Sequence, residues 1–194
     1  VQNRKGIGDT VIFLPFIKAI SKKYSVPVDI LVRENSKAEQ FLSDTKYIKN
    51  IHILDRNDRS TGNHDGLFGA INLINELKNK NFNKIFIYYP SYRTQLAAKF
   101  ASIKEVNYYP VFEKKNLHLV KKAKFYTQKW LNIENCPTET KLHINDKTKN
   151  IAAKNLKSEY KNIVLGVGSS GPTTKWGIKN YIELAKKLNF KTKN

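Results

Sequence analysis

Apolar and polar positions follow two periods along this chain, one typical of strands and one typical of helices. Short runs that alternate or stay apolar predict strands, and longer stretches with an apolar residue every three or four positions predict helices. The pattern predicts strands at residues 1–4, 26–32, 48–54, 84–89, 142–144 and 163–166. It predicts helices at residues 10–24, 36–42, 67–80, 94–101, 118–131, 148–156 and 178–188. Strands that alternate with helices indicate an α/β fold with a doubly wound, mainly parallel sheet.

The composition changes after Cys136-Pro137, where a very polar stretch begins. We therefore predict a Rossmann-like domain over residues 1–145 and the beginning of a second domain over 146–194, which starts with another strand–loop–helix unit. The sequence contains no methionine, and its first predicted strand is shorter than the ~5–6 residues usual for a strand. We accordingly expect a fragment of a longer protein, with the second domain truncated.

Length and composition exclude several classes of protein. The 194 residues suffice for a hydrophobic core without disulfides, and a hydrophobic fraction of 40% excludes a wholly disordered chain. No apolar run approaches the ~20 residues that a membrane-spanning helix needs. The single cysteine, Cys136, excludes a disulfide framework and a multi-cysteine zinc site. We expect a reduced, cytosolic protein.

The charge is strongly positive, because 35 basic residues face 16 acidic ones and give a net charge of +19. Such an excess suggests nucleic acid, an anionic membrane or a phosphorylated substrate as partner. Sequence-specific nucleic-acid readers depend on arginine, of which this lysine-rich chain has few. A lysine bias also accompanies AT-rich coding DNA, so both interpretations stay open. The lysine-rich helix at 121–129 is either a solvated face or a contact to anionic lipid.

A first loop that can carry chemistry lies between the first strand and the first helix. Gly6 and Gly8 allow the backbone amides at a helix N-terminus to approach an anion closely. The dinucleotide fingerprint fails because Val11 stands where it needs a small residue, and no P-loop Gly-Lys-Ser/Thr follows. Asp9 comes directly after the turn, at the expected N-cap of the helix. It is either a capping residue or a catalytic carboxylate.

A second loop of this kind runs over residues 166–177. It combines glycines, four hydroxyl side chains and Lys175 ahead of a helix N-terminus. These are the components of a diphosphate-binding loop.

The two loops, in this order, resemble those of glycosyltransferase family nine, the ADP-heptose:lipopolysaccharide heptosyltransferases. The resemblance covers nearly the whole chain, but only about half of a typical family member. It rests on four ordered segments: residues 6–20, with Gly-Ile-Gly-Asp-Thr and the proline-containing helix; 82–97; 118–122; and 166–185.

The resemblance implies a GT-B architecture and inverting transfer of a heptose-type sugar from a nucleotide-diphosphate donor, ADP-heptose in the family. It implies Asp9 as the catalytic base and Lys175 as the cation on the leaving group. Lys5 and Arg93 are weaker candidates for binding the acceptor, an anionic, lipid-linked glycan of the lipopolysaccharide core. No metal and no further cofactor is implied. The residues expected to bind the donor diphosphate are Gly8, Thr10, Gly168, Ser169, Ser170, Thr173 and Thr174.

The sequence departs from the family in the second loop, where Thr174-Lys175-Trp176-Gly177 replaces the usual Lys-Arg-Trp-Pro. Either Lys175 or Thr174 therefore occupies the leaving-group position. The family's nucleoside-binding acidic residues lie beyond Asn194, which leaves open whether this chain is active by itself.

Two other functions stay open. One is a non-catalytic protein that binds nucleotides or nucleic acid, although the scarcity of arginine makes nucleic acid the less favoured partner. The other is a GT-B transferase with a different donor. For the transferase we expect a cytoplasmic location, with peripheral contact at the inner face of the inner membrane.

Overall fold

The computed structural model describes residues 1–57, 59–112, 117–156, 162–168 and 175–191. The chain divides into two compact units, Val1–Asn145 and Asp146–Asn194. The first unit holds four strands, β1 Val28–Val32, β2 Ile48–Ile53, β3 Lys84–Ile87 and β4 Glu105–Tyr108. Its helices are α1 Ile7–Tyr24, α2 Ala38–Leu42, α3 Gly66–Asn79, α4 Tyr92–Phe100 and α5 Leu119–Leu131, with a 3-10 turn at Glu34–Ser36. The second unit contains α6 Asp146–Asn155 and α7 Ile178–Lys191.

The N-terminal segment, residues 1–3, joins two parallel strand pairs into one sheet. β1 pairs with β2, and β3 pairs with β4, both in parallel. The amide of Gln2 donates to the carbonyl oxygen of Leu31 at 3.0 Å, and the amide of Tyr88 donates to that of Val1 at 3.0 Å. The sheet order is therefore β2, β1, the N-terminal segment, β3, β4, and this is the order of a Rossmann-type half.

Helices cover both faces of this sheet, as parallel connections require. On one face α1 and α5 bury a core that contains Phe13, Phe16, Ala123 and Tyr126. On the other face α3 and α4 bury a second core, with Leu73, Leu77, Ala97 and Ala98.

An aromatic cluster closes the α5 side of the first core. Trp130 lies 5.2 Å from the ring of Tyr88 and 5.7 Å from that of Tyr109, measured between ring centroids. The Tyr88 and Thr127 hydroxyls form a buried hydrogen bond of 2.7 Å, so the polar end of the tyrosine is satisfied inside the core.

The sequence pattern missed one strand and predicted two strands that do not form. Strand β4 was not predicted, because its Glu-Val-Asn-Tyr sequence is half polar and pairs only along β3. The strands expected at 142–144 and 163–166 do not form, and residues 162–168 have no regular secondary structure. An apolar run becomes a strand only where a neighbouring strand accepts its hydrogen bonds, and neither segment pairs with a strand among the described residues.

Candidate active site at the carboxyl edge of the sheet

The carboxyl ends of all strands of the first unit meet at one edge of the sheet. From the N-terminal segment the chain turns to β1 on one side, and β3 lies on the other side. A crevice at such a switch point is where open α/β sheets bind ligands. The loops that border it follow the N-terminal segment and β3, and the loops after β1 and β2 continue the same edge.

Asp9 lies at this edge, in the first turn of α1. The helix begins at Ile7 and its N-cap is Gly6, so the expected N-cap position of Asp9 is wrong. Gly6 has a φ of 117°, which favours glycine and lets the helix start three residues earlier. The carboxylate is 27% exposed and accepts a 3.1 Å hydrogen bond from Nη1 of Arg4. Asp9 is thus not the N-cap residue, and its carboxylate is partly accessible to solvent.

The neighbours of Asp9 complete this turn. The Oε1 atom of Gln2 accepts a 2.6 Å hydrogen bond from the amide of Arg4 and fixes the backbone ahead of the helix. Lys5 and Gly8 are exposed, and a Cβ at Gly8 would meet nothing within 4 Å. Thr10 is buried, with its hydroxyl 3.4 Å from the Gly6 carbonyl oxygen. The backbone of this turn is therefore accessible, while the Thr10 side chain supports it from inside.

All five arginines of the sequence follow carboxyl ends of strands. Arg4 follows the N-terminal segment, Arg33 follows β1, Arg56 and Arg59 follow β2, and Arg93 begins α4 after β3. We call these five residues the arginine group. Sequence analysis selected only Arg93. The signal was nevertheless present, since three of the five, Arg4, Arg33 and Arg56, come within three residues of a strand end, and parallel strands bring such positions to one edge.

Three members of the arginine group act on the polar residues at the start of α4 and in the loop after β2. Burial raises the pKa of the Tyr89 hydroxyl, and the charges of Arg56 and Arg33 oppose that shift, so both lie near this hydroxyl. Tyr89 also bonds to the Thr94 hydroxyl at 2.5 Å. Nη2 of Arg93 donates to the His64 carbonyl oxygen at 2.7 Å.

Only some of these arginines pair with a carboxylate among the described residues. Arg56 pairs with Asp65 at 3.1 Å. Buried Arg33 contacts the Asn3 side-chain oxygen at 3.4 Å, and neither Arg33 nor Arg93 pairs with a carboxylate among the described residues. The buried Nε of Arg93 lacks a hydrogen-bond acceptor there. These arginines can therefore accept an anionic group such as a carboxylate or a phosphate.

The loop between β2 and α3 is held by its own side chains. The amide of Asn57 donates to the Asp65 carboxylate and, together with Arg56 and the Gly62 amide, lowers the Asp65 pKa to about 2. Buried His64 accepts the Asp55 amide at Nδ1, at 2.9 Å, which places the proton of the neutral ring on Nε2. Nε2 lies 3.2 Å from a Glu76 carboxylate oxygen. These hydrogen bonds hold the loop in place, and its His64 carbonyl oxygen accepts the hydrogen bond from Arg93.

The second predicted loop is described only in part. Ser169, Ser170, Thr173 and Thr174 lie outside the described residues, whereas Gly168 and Lys175 are described and exposed. Trp176 packs edge-on against Tyr181, with ring centroids 5.1 Å apart, and Gly177 has a φ of 92° ahead of α7. Whether Lys175 or Thr174 takes the leaving-group position stays a prediction.

Neither a metal centre nor a membrane span is found in the described part of the chain. No three or more His, Cys, Asp or Glu side chains are grouped there in a way that could hold a metal ion. None of the helices described is long and apolar enough to cross a membrane.

Among solved structures, the chain is similar to the crystal structure of the glycosyl transferase family 9 from Veillonella parvula DSM 2008, with a TM-score of 0.72 and 16% sequence identity. The match covers 96% of this chain and 58% of that chain, so this chain spans little more than half of that protein's length. No protein-family model matches the chain, and no curated protein matches it significantly. The similarity confirms the predicted α/β, Rossmann-like fold class.

Proposed function

We propose that this chain belongs to an inverting glycosyltransferase that moves a sugar from a nucleotide-diphosphate donor to an anionic acceptor. The observation that carries the proposal is a partly accessible carboxylate, Asp9, paired with Arg4 at the edge of the sheet where the loops that carry the other arginines also begin. The fold, which is similar to that of a family 9 glycosyl transferase, supports it.

Asp9 acts as the general base. An acceptor hydroxyl attacks the anomeric carbon of the donor sugar, and its oxygen forms the new glycosidic bond as its proton passes to the Asp9 carboxylate. The bond between the anomeric carbon and the diphosphate oxygen breaks, and the electron pair leaves with the diphosphate. The 3.1 Å contact with Arg4 orients the carboxylate before the acceptor arrives.

The leaving diphosphate requires positive charge or oriented donors as its own charge develops. We assign this role to Lys175, with the amides and hydroxyls of Gly168, Ser169, Ser170, Thr173 and Thr174. Gly8 adds an open helix N-terminus, and Thr10 supports that turn from within. This set needs no metal ion.

The arginine group binds the acceptor. Arg33 and Arg93 provide guanidinium groups that have no carboxylate partner among the described residues. A carboxylate or phosphate on the glycan acceptor supplies that anionic partner. Lys5, exposed beside Asp9, adds a further positive charge at the same edge. We propose a heptose-type sugar, ADP as the nucleotide and a lipopolysaccharide-core acceptor at the cytoplasmic face of the inner membrane.

Replacing Asp9 by Asn tests the proposal. Asn cannot take the proton, so the rate of heptose transfer from ADP-heptose to a lipopolysaccharide-core acceptor should fall by about 10²–10⁴. Asp44→Asn is the control, because this exposed carboxylate lies just before β2, at the opposite edge of the sheet. Transfer that persists in Asp9→Asn would remove Asp9 from the chemistry. Tight nucleotide binding without transfer in any variant would favour the non-catalytic nucleotide-binding protein or a different donor.

A further inference from the structure

The outward side of α3 is apolar where solvent would favour polar residues. Gly69, Leu73 and Leu77 form its buried side. Leu67 and Phe68, in the first turn, are 85% and 84% exposed, and Ile71 follows one turn later at 52%. Leu67 and Ile71 recur with the helical period of the predicted helix, and the structure places both on its outside.

The neighbouring helix α4 repeats this arrangement. Its inner side, with Thr94, Ala97 and Ala98, is buried against the same core as α3. Its outer side exposes three large residues one turn apart, Tyr92, Leu96 and Phe100. We call the six outward residues the α3–α4 face: Leu67, Phe68, Ile71, Tyr92, Leu96 and Phe100. Isolated exposed apolar residues are common, but six on two adjacent helices mark a contact surface.

Basic side chains accompany this face. Over residues 66–83 and 92–104 the sequence has four exposed lysines, Lys78, Lys80, Lys99 and Lys104, against the single acidic Glu76, whereas Arg93 in this range bonds to the His64 carbonyl oxygen instead. The Glu76 carboxylate, which is about half exposed, lies 3.2 Å from His64 Nε2. Apolar side chains at the centre with cations around them are the pattern of a helix that lies in the interface of an anionic bilayer.

We propose that the α3–α4 face docks on the surface of an anionic membrane, with both helices parallel to the bilayer plane. The charge selects this occupant. A second copy would bring the same basic rim and the same +19 net charge into contact with itself, whereas anionic headgroups complement them. The proposal concerns the first unit alone and does not depend on sugar transfer.

Fluorescence of a single new tryptophan tests the docking. In Phe68→Trp, vesicles of equal parts phosphatidylcholine and phosphatidylglycerol should shift the added emission to the blue, and brominated lipid should quench it. Vesicles of phosphatidylcholine alone should give no such change, because the cations then have no partner. Phe125→Trp is the matched control, since Phe125 is exposed to 52% on the lysine-rich helix α5. Quenching of Phe125→Trp instead would overturn the proposal in favour of α5.

Removal of the apolar residues provides the second measurement. The double variant Leu67→Ser and Phe68→Ser should weaken partition onto the anionic vesicles by about tenfold or more. Phe125→Ser should leave it unchanged. Because both side chains are exposed, the melting temperature should stay that of the parent, which excludes misfolding as the cause. Unchanged partition of the double variant would refute the docking, as would a dimer in sedimentation velocity that this variant alone dissolves.

Discussion

At the scale of single residues, the guanidinium group of Arg93 has one nitrogen that donates a hydrogen bond and one that lacks an acceptor. Nη2 donates to His64, while Nε is buried without a partner among the described residues. A buried donor of this kind costs free energy until an acceptor arrives, which is the condition expected of a ligand site before binding.

The substitution Arg93→Lys isolates this geometry from the charge. Lysine keeps the positive charge but loses the planar fork, so the KM for an anionic acceptor should rise about tenfold with little change in kcat. Lys22→Gln, an exposed site at the far end of α1, should alter neither. A fall in kcat at constant KM would instead assign Arg93 to the transition state.

Asp65 predicts an acid-sensitive loop. Its pKa is lowered to about 2 in the fold, so it binds a proton less readily in the folded than in the unfolded chain. The stabilisation is present above pH ~4 and is lost as the pH falls from about 4 to 2. Asp65→Asn should lower the melting temperature at pH 7, and the difference from the parent should shrink at pH 2.5. A difference that stays constant with pH would contradict the pairing.

Asp9 and Arg93 were predicted as site residues from the sequence, but the residues around them were not. Asp9 was recognisable because a Gly-x-Gly turn precedes it, although the turn ends earlier than expected and leaves Asp9 inside the helix. Arg33 and Arg56 were missed because they are 23 residues apart in sequence and meet only through the order of the strands. Convergence of this kind is a property of topology rather than of a local motif.

At the scale of elements, two glycines in helices differ in what surrounds them. A Cβ on Gly69 would collide with the backbone of His64, including its Cα at 2.7 Å, whereas Gly8 has open space. Gly69→Ala should therefore lower the free energy of unfolding by about 1–3 kcal/mol. Gly8→Ala should leave it unchanged or raise it by about 0.5 kcal/mol through helix propensity. Urea unfolding of both variants compares them directly, and equal losses would refute the close approach of α3 to the loop.

Pro15 lies inside helix α1, whose existence was easier to predict from the sequence than its bounds. A proline in the middle of a helix removes the donor to the carbonyl four residues earlier, that of Val11. The Thr140 hydroxyl donates to that oxygen at 3.3 Å and compensates for it from a distant part of the sequence. The apolar period predicted the helix, but neither its start at Ile7 nor the hydrogen bond from Thr140 can be read from the neighbouring residues in the sequence.

At the scale of the whole molecule, the alternation of strands and helices was sufficient to predict the Rossmann-like fold, because parallel connections allow few topologies. It was not sufficient for residues beyond 145. There the same apolar pattern predicted a strand, but strand formation depends on pairing partners that the sequence of one segment does not specify.

Burial differs sharply between the two units and leads to a final prediction. Every hydrophobic core residue of the described chain lies between Phe13 and Cys136, and helix α6 buries none of its residues. The described residues of 146–194 bury too little apolar surface to offset their conformational entropy. A polypeptide of residues 1–145 should therefore unfold in one cooperative transition, with a melting temperature within a few degrees of the whole chain. Residues 146–194 alone should show no cooperative transition in calorimetry. A large loss of stability on removing them would mean that the second unit contributes to the core of the first.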